Sequence, residues 1–580
     1  MTAPFIPDDA PFSDSQRAWL AGFLAGMAAS GAHHSDVDAG DGAATQLDIL
    51  FGTQTGNAET VAQEAASLAT ANGMAPRVRE LNDIDMAALT TMKHVIVVVS
   101  TYGEGEMPDN AQMFWDAVSA TTAPRLEGMR YGVLALGDTS YDQFCQAGKL
   151  IDMRFEQLGA SRLAARIDCD VDFEDVATEW LSTTVPLAND GKGPGAAASA
   201  LIDTEPRKSV WTRKNPYASK VIENRLLSGI TSAKEIRHFS FDLGDSGMSY
   251  EAGDALGVMP VNSTDLVNDI LVRLRANADQ EIKGHDEPLG VLLKEKLEIR
   301  TPSKQVITEV EKIAEHDELS HVLGTGDKES LEAFLWGRDT LDLLNLNADI
   351  TIDPAQFVSW LKPLQHRAYS ISSSPKAHDG EVQLTVAAVR WKFEGRGHNG
   401  VASTFLSDMC TEGDDTPIFM SPNKSFRIPE DSDAPMIMVG PGTGVAPFRA
   451  FLEERREIGA KGRNWLFFGD QHRDCDFIYA DEISDMSRKG LLTRLDLAFS
   501  RDQDEKIYVQ TRMRENARTL FEWLEEGGYF YVCGDATRMA KDVDIALADI
   551  IKTEGSLSDD AAMDYVNKLK KEKRYLRDVY

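Results

Sequence analysis

The chain has 580 residues, of which 42% are hydrophobic and 26% charged, and it carries a formal net charge of −33. That length exceeds what one hydrophobic core supports and predicts roughly three or four domains. The composition is that of an ordinary soluble globular protein, and the acidic balance excludes a partner bound through its phosphate backbone.

No apolar run approaches the ~18 residues that cross a bilayer. The amino terminus, MTAPFIPDDA, has neither a basic leader nor a long apolar core, so no secretory signal is expected and the cytoplasm is the default location. Cys145, Cys169, Cys410, Cys475 and Cys533 are scattered without CxxC pairing. Neither an iron–sulfur cluster, a zinc site nor a disulfide framework is expected, and no metal is assigned. The excess of acid has two readings: solubility, or an acidic face that docks an electropositive redox partner.

Residues 12–30 read as one short helix, with Ser13 as N-cap and Trp19, Leu20, Phe23, Leu24 and Met27 at helical spacing. With its linker it forms a segment 1–45, which either folds back on the chain or serves oligomerisation or docking. Residues 46–187 alternate short apolar runs, LDILFG, VIVVVSTYG and YGVLALGD, with helical patterns. This predicts a parallel sheet with helices on both faces. Thr53, Gln54, Thr55, Gly56, Asn57 and Ala58 follow the first strand and enter a helix expected near Glu59. Amides and hydroxyls at such a turn bind a phosphate monoester without a basic side chain. Ser100, Thr101, Tyr102 and Gly103 follow the second strong strand; Leu136, Gly137, Asp138, Tyr141, Phe144 and Cys145 follow the third. All three loops are expected at carboxyl ends of strands, where open parallel sheets bind ligands. Tyr102 and Tyr141 are then placed to stack on the two faces of one isoalloxazine ring. The stretch resembles a flavodoxin-type FMN domain.

A Gly/Ala/Pro-rich stretch without periodicity begins a flexible linker, 188–208. Residues 209–433 read as antiparallel barrel strands, interrupted at about 262–365 by a mostly helical insert. Arg367, Ala368, Tyr369 and Ser370 set a guanidinium, an aromatic ring and a hydroxyl along one strand. Arg can hold a pyrophosphate, Tyr can cover a flavin ring and Ser can reach its N5 edge. Gly400, Val401, Ala402 and Ser403 form a small-residue helix start suited to the other side of the pyrophosphate.

Residues 434–580 return to βα alternation. Gly442 and Thr443 lie in VGPGTGVAP, between a strand and the helix FRAFLEERR, where glycines permit close approach of a dinucleotide phosphate. Ser500, Arg501, Lys506, Tyr508 and Gln510 combine two cations with hydroxyls, which suits the extra phosphate of NADPH and is wasted on NADH. Cys533 ends another strand, beside the expected nicotinamide, and the chain ends on YLRDVY, whose terminal Tyr580 reads as a lid over a flavin.

In order, RAYSISSSP, GVAST, GPGTGVAPFRAF, SRDQDEKIYVQ, YVCGD and the aromatic terminus are similar to ferredoxin–NADP reductase-like modules. With the FMN domain upstream, residues 46–580 resemble the diflavin reductases, and most nearly the flavoprotein components of assimilatory sulfite reductase; CGDATRMAKDV, RYLRDVY and the helix from Gln16 to Phe23 are in their style. The resemblance implies a multidomain α/β and β fold: a flavodoxin-like domain, an FAD-binding β-barrel with a helical connecting insert, and a Rossmann-like NADPH-binding domain. It implies FAD, FMN and NADPH as cofactors, with further FAD contacts at Thr385, Val386, Ala387 and Trp391 and a further NADPH contact at Asp542. It also implies that hydride passes to FAD at a site lined by Ser370, Cys533 and Asp578, with Tyr580 covering the ring and swinging aside. The family further implies an oligomer-forming amino-terminal helix and a separate hemoprotein (beta) subunit carrying siroheme and an iron–sulfur cluster, which reduces sulfite to sulfide for cysteine biosynthesis. Two features depart from the pattern. Tyr102 stands where many sulfite reductase flavoproteins have a non-aromatic residue, and the spacer before Arg367 assigns no FAD contact at Thr301–Ser303. A stand-alone reductase of the cytochrome P450 reductase kind and a flavin-bearing scaffold without turnover remain as alternatives.

Overall fold

The computed structural model describes residues 44–103, 105–139, 141, 143–189 and 210–580. The helix expected over 12–30 and nearly all of the linker expected over 188–208 lie outside the described residues.

The first unit is a parallel sheet built from β1 (Gln46–Gly52), β2 (Ala75–Glu80), β3 (His94–Ser100), β4 (Arg130–Leu136), β5 (Ser161–Arg162) and β6 (Ile167–Cys169). The order is β2-β1-β3-β4-β5, with β6 also on β4. Val95 to Val99 are wholly buried because helices cover both faces, and for this reason the strand reads as unbroken apolar sequence. β1 pairs β2 on one side and β3 on the other, so the chain reverses its direction of travel across the sheet at β1. A crevice opens at that switch point, outside the carboxyl ends. Register sets Gly52 opposite Val99 and Ser100 opposite Leu136, which brings the three glycine-bearing loops side by side.

The second unit is antiparallel: β7 (Tyr217–Leu226), β8 (Glu235–Asp242), β9 (Ala255–Val258), β10 (Arg367–Ser370), β11 (Glu381–Ala388) and β14 (Asp415–Ser421) run in the order β10-β9-β14-β7-β8-β11. A bridge between Ile371 and Leu384 joins the two ends and closes the barrel. Between β9 and β10 comes the helical insert, with helices from Thr264–Leu274 to Pro354–Trp360 around its own apolar core. Its starts are written locally: Ser303 and Asp353 accept backbone N–H groups of Val306 and Gln356, and Pro354 occupies the first turn. A hairpin of β12 (Arg390–Phe393) and β13 (Arg396–Asn399) follows β11.

The third unit is again parallel. β15 (Met436–Val439), β16 (Asn464–Asp470), β17 (Arg494–Phe499), β18 (Tyr529–Gly534) and β19 (Tyr575–Val579) run in the order β17-β16-β15-β18-β19. The terminal strand is therefore an edge strand, and its register sets Asp578 beside Cys533 and Val579 beside Gly534. A buried ionic network seals this unit to the barrel. Arg449 donates to the Ser372 carbonyl (2.6 Å) and pairs with Glu453 (3.1 Å), while Glu453 meets His378 (3.0 Å).

Candidate functional site

The loop after β1 is held by Asn110, whose Oδ1 accepts the Thr53 N–H at 2.7 Å; its Nδ2 is buried without a protein partner. Thr53 Oγ1 accepts the Gly56 N–H (2.9 Å), and Gly56 is left-handed (φ 87°), a conformation glycine adopts without strain. The helix Asn57–Ala71 starts two residues before the expected Glu59, and no side chain caps it. Ala58 also donates its N–H to Thr53 Oγ1 (3.4 Å), so the Thr55 and Asn57 amides are the ones this helix start leaves for a phosphate monoester. In the neighbouring loops, Ser100 Oγ donates to the Gly52 carbonyl (3.4 Å) and Thr101 Oγ1 accepts the Ala147 N–H (3.2 Å). Gly103 is left-handed, and a Cβ on Gly137 would lie 2.8 Å from the Cys145 amide. Leu136 is buried, Phe144 half-buried and Tyr141 exposed. Cys145 is wholly buried, with its thiol near the Ala135 and Cys169 carbonyls.

Tyr102 leaves its own domain. Its hydroxyl donates to the Val579 carbonyl (3.2 Å) and its ring packs on the apolar core of the third unit. Asp109, at the start of the helix Asp109–Ser119, binds Arg577 of β19 (Nε at 3.0 Å) and accepts from Gln54 (3.2 Å). Further cross-unit pairs are Lys573–Glu80 (3.0 Å), Lys424–Glu59 (2.9 Å) and Arg213–Glu174 (2.7 Å), and Asp138 faces Lys362 at 3.8 Å. In each, the carboxylate belongs to the first unit and the cation to the others, so the acid excess has a structural use within the chain.

At the barrel, Arg367 and Ala368 are exposed on β10, and Tyr369 packs against the barrel core. Burial foremost lowers the Arg300 pKa, Glu298 offsets part of this, and Arg367 is near enough for its charge to add to the lowering. The Arg300 Nε is buried without a partner, and among the described residues neither guanidinium has an ion pair. Two guanidinium groups so placed fit a diphosphate. Arg300 also lies 4.7 Å from the Trp391 ring centroid, and His398 stacks on that ring at 5.2 Å. Gly400 leads into the uncapped turn Val401–Thr404, in which Ala402 is buried and Ser403 Oγ accepts the Val389 N–H. Val386 turns into the barrel core and Thr385 the other way, onto Tyr479 of the third unit (2.7 Å), and both are buried. Only the backbone of these two, with the half-buried Ala387, is available to a ligand.

At the third unit, Gly442 is left-handed, and a Cβ on Gly444 would lie 2.2 Å from the Cys533 carbonyl, so the glycine loop presses against the end of β18. The Ser500 N–H donates to the Asp470 carbonyl (2.9 Å), which fixes the loop carrying Arg501. Arg501 and Lys506 are exposed and form no ion pair among the described residues. Tyr508 is exposed, and Gln510 donates to Asp542 (3.1 Å).

The barrel and this unit meet at a five-residue cluster. Ser370 Oγ donates to Asp578 Oδ2 at 2.5 Å, Cys533 Sγ lies 3.9 Å from the same oxygen, and Tyr580 OH lies 3.1 Å from Thr443 Oγ1. Burial raises the Asp578 pKa against the Ser370 hydroxyl, and burial foremost holds the Cys533 thiol well above its ordinary value. The cluster therefore presents a neutral thiol and a hydroxyl-bound carboxyl. The ends of Tyr580 are tied down: its N–H donates to the Gly534 carbonyl (3.0 Å) and its carbonyl accepts from Ala536 (3.1 Å). The residue stays 62% exposed.

Sequence reasoning missed Asn110, Asp109, Arg300 and Arg577. Arg577 lay inside a motif already read, but its partner is 468 positions away, and no local spacing announces such a pair.

Three family models match the chain: a flavodoxin model at residues 49–180, an FAD binding domain at 210–405 and an oxidoreductase NAD-binding domain at 438–544. The chain is 39% identical over 600 residues to the sulfite reductase [NADPH] flavoprotein alpha-component of Bacillus subtilis (strain 168), spanning 100% of this chain and 99% of that one. It is 41% identical over 575 residues to the protein of the same description from Vibrio cholerae serotype O1 (strain El Tor Inaba N16961), spanning 97% and 93%. A third, from Mannheimia succiniciproducens, is 39% identical over 599 residues, spanning 100% and 99%.

Proposed function

This chain belongs to the sulfite reductase [NADPH] flavoprotein alpha-component family, and we propose that it is the NADPH-dependent diflavin reductase of such an enzyme, delivering electrons through FAD and FMN to a sulfite reductase hemoprotein. The observation that carries the reading is the Ser370–Asp578–Cys533 cluster beneath Tyr580, at the junction of an FAD-binding barrel and a nicotinamide-type sheet, with an FMN-type sheet docked against it. When bound, the flavins convert a two-electron hydride donor into a one-electron donor.

The chain's own residues would bind, orient and gate. The turn from Thr53 to Ala58 holds the FMN phosphate through its Thr55 and Asn57 amides, while Tyr141 flanks the ring and Tyr102 joins it on the other face once released from the third unit. Arg367, with the turn at Gly400, holds the FAD diphosphate, and Tyr369 supports the ring. Arg501, Lys506 and Ser500 take the 2′-phosphate of NADPH. Asp578 holds the Ser370 hydroxyl at the hydride site and offsets the positive charge that develops on the nicotinamide. Tyr580 occupies the nicotinamide's stacking place until displaced. The five domain segments expected from sequence are retained as 1–45, 46–187, 188–208, 209–433 and 434–580.

The proposed setting is the cytoplasm; among the described residues no helix is long and apolar enough to cross a membrane. Residues 1–45 are proposed to assemble copies of the chain and to seat the hemoprotein. A pull-down of the tagged chain from its native cytosol, with and without residues 1–40, tests this. A co-eluting siroheme spectrum that truncation abolishes supports the assignment. Flavin absorbance alone in both samples contradicts it.

A further inference from the structure

β19 is an edge strand, yet its free side is not left to solvent. The strand meets the FMN-type unit twice, Arg577 with Asp109 and the Val579 carbonyl with the Tyr102 hydroxyl (3.2 Å), and Lys573, just before it, adds a third anchor on Glu80 (3.0 Å). Between and beyond these anchors stand Asp578 and Tyr580. Side chains alternate along a strand, so Arg577 faces away from Asp578. One face of the terminal strand therefore grips the FMN-type unit while the other carries the hydride-site carboxyl.

The grip is specific. Asp109 accepts from two Arg577 nitrogens, and Arg577 is oriented from behind by Asp544 (3.2 Å). Burial opposes ionisation of Asp109, but the guanidinium outweighs it and holds the carboxyl below its ordinary value. Asp109 is in turn tied to the phosphate-type loop: Gln54 Nε2 donates to its carboxylate (3.2 Å) and Gln54 Oε1 accepts its backbone N–H (3.1 Å). An unbroken line of contacts thus runs from the loop at Gln54, through Asp109 and Arg577, to the strand bearing Asp578 and Tyr580. Within its own sheet the strand pairs on one side only, with β18.

We propose that Tyr102 and Asp109 are positioning residues for hydride transfer: docking of the FMN domain holds the terminal strand, and with it Asp578 and Tyr580, in the arrangement seen. The inference rests on the diflavin reading above. Departure of the FMN domain leaves β19 with its single ladder and Tyr580 with its third-unit contacts alone, so domain swing and nicotinamide access are coupled through one strand. The Tyr102 hydroxyl is what reaches the Val579 carbonyl.

The test uses the full-length holoenzyme and the variants Asp109→Asn and Tyr102→Phe. Asparagine still accepts from Gln54 but carries no charge for Arg577, and phenylalanine keeps the ring. The first readout is amide hydrogen exchange in the peptide 573–580. Exchange there should accelerate ~10-fold or more in Asp109→Asn, the factor implied by losing a charge-assisted hydrogen bond, and less in Tyr102→Phe. The second is the ratio of kcat/KM for NADPH and NADH, which should fall as the loosened Tyr580 yields to nicotinamide without help from the 2′-phosphate. Asp109→Glu should restore both. Unchanged exchange and coenzyme ratio, in a variant with full flavin content, overturn the inference while leaving the diflavin reading intact. A wild-type chain that binds only one flavin overturns the reading on which it rests.

Discussion

Replacing Arg501 by alanine isolates the selection of NADPH over NADH. Arg501 is exposed, pairs with no carboxylate among the described residues, and rides on a loop fixed by the Ser500–Asp470 backbone hydrogen bond. Its removal therefore leaves no stranded charge, and the fold should be indifferent. A charge-assisted hydrogen bond contributes about 1.5–3 kcal/mol, or ~10–100-fold in affinity, and solvent screening at an exposed site draws the value toward the lower end. The 2′-phosphate takes no part in bond making, so the interaction is equal in ground and transition states and its loss appears in KM with kcat unchanged. Steady-state cytochrome c reduction with NADPH and with NADH, at low and high ionic strength, reads this directly. KM for NADPH should rise about 10-fold and the NADH parameters should hold, with the difference shrinking as salt is added. Equal losses with both coenzymes, or a fall in kcat alone, would refute the assignment of this loop to the phosphate.

Two other consequences can be measured independently. Tyr580→Ala removes a ring tethered to Thr443 and should raise kcat/KM for NADH relative to NADPH on the order of 10-fold, from one aromatic contact and one neutral hydrogen bond; an unchanged ratio counts against the lid. His238 is buried between strand and helix, its Nδ1 2.9 Å from the Tyr479 hydroxyl, and burial foremost, then Arg449, pushes its pKa down to about 4. The unfolded side chain titrates near 6.5, so the unfolded chain binds the extra proton between these values. Stability from this group is full above pH ~6.5 and is lost as pH falls toward 4, by about 3 kcal/mol over the window. Urea unfolding of His238→Gln should show a shallower acid limb than wild type; identical limbs would remove His238 from the explanation.

The parallel units were legible because burial on both faces writes β3 and β15 as continuous apolar runs, and because loops that press against a neighbour require glycine, as Gly444 does against Cys533. The strand-end motifs led to Ser370, Cys533, Asp578 and Tyr580, which the fold brings together from a barrel strand, an inner parallel strand and the edge strand. Side-chain direction was less legible. Thr385 and Val386 point to opposite faces of β11, and both are buried because the barrel core covers Val386 and Tyr479 of the third unit covers Thr385, which a short motif does not reveal. Cross-unit pairs were not legible at all. Asp109 resembles any acid in the first turn of a helix, and Lys573 any surface lysine, until tertiary structure sets them against Arg577 and Glu80.

The decisive measurement is sulfite-dependent NADPH oxidation by the flavin-loaded chain mixed with purified sulfite reductase hemoprotein. Reduction of the siroheme and release of sulfide in proportion to NADPH consumed, requiring both proteins, is the predicted result. NADPH-driven reduction of ferricyanide with a hemoprotein that stays oxidised would contradict it.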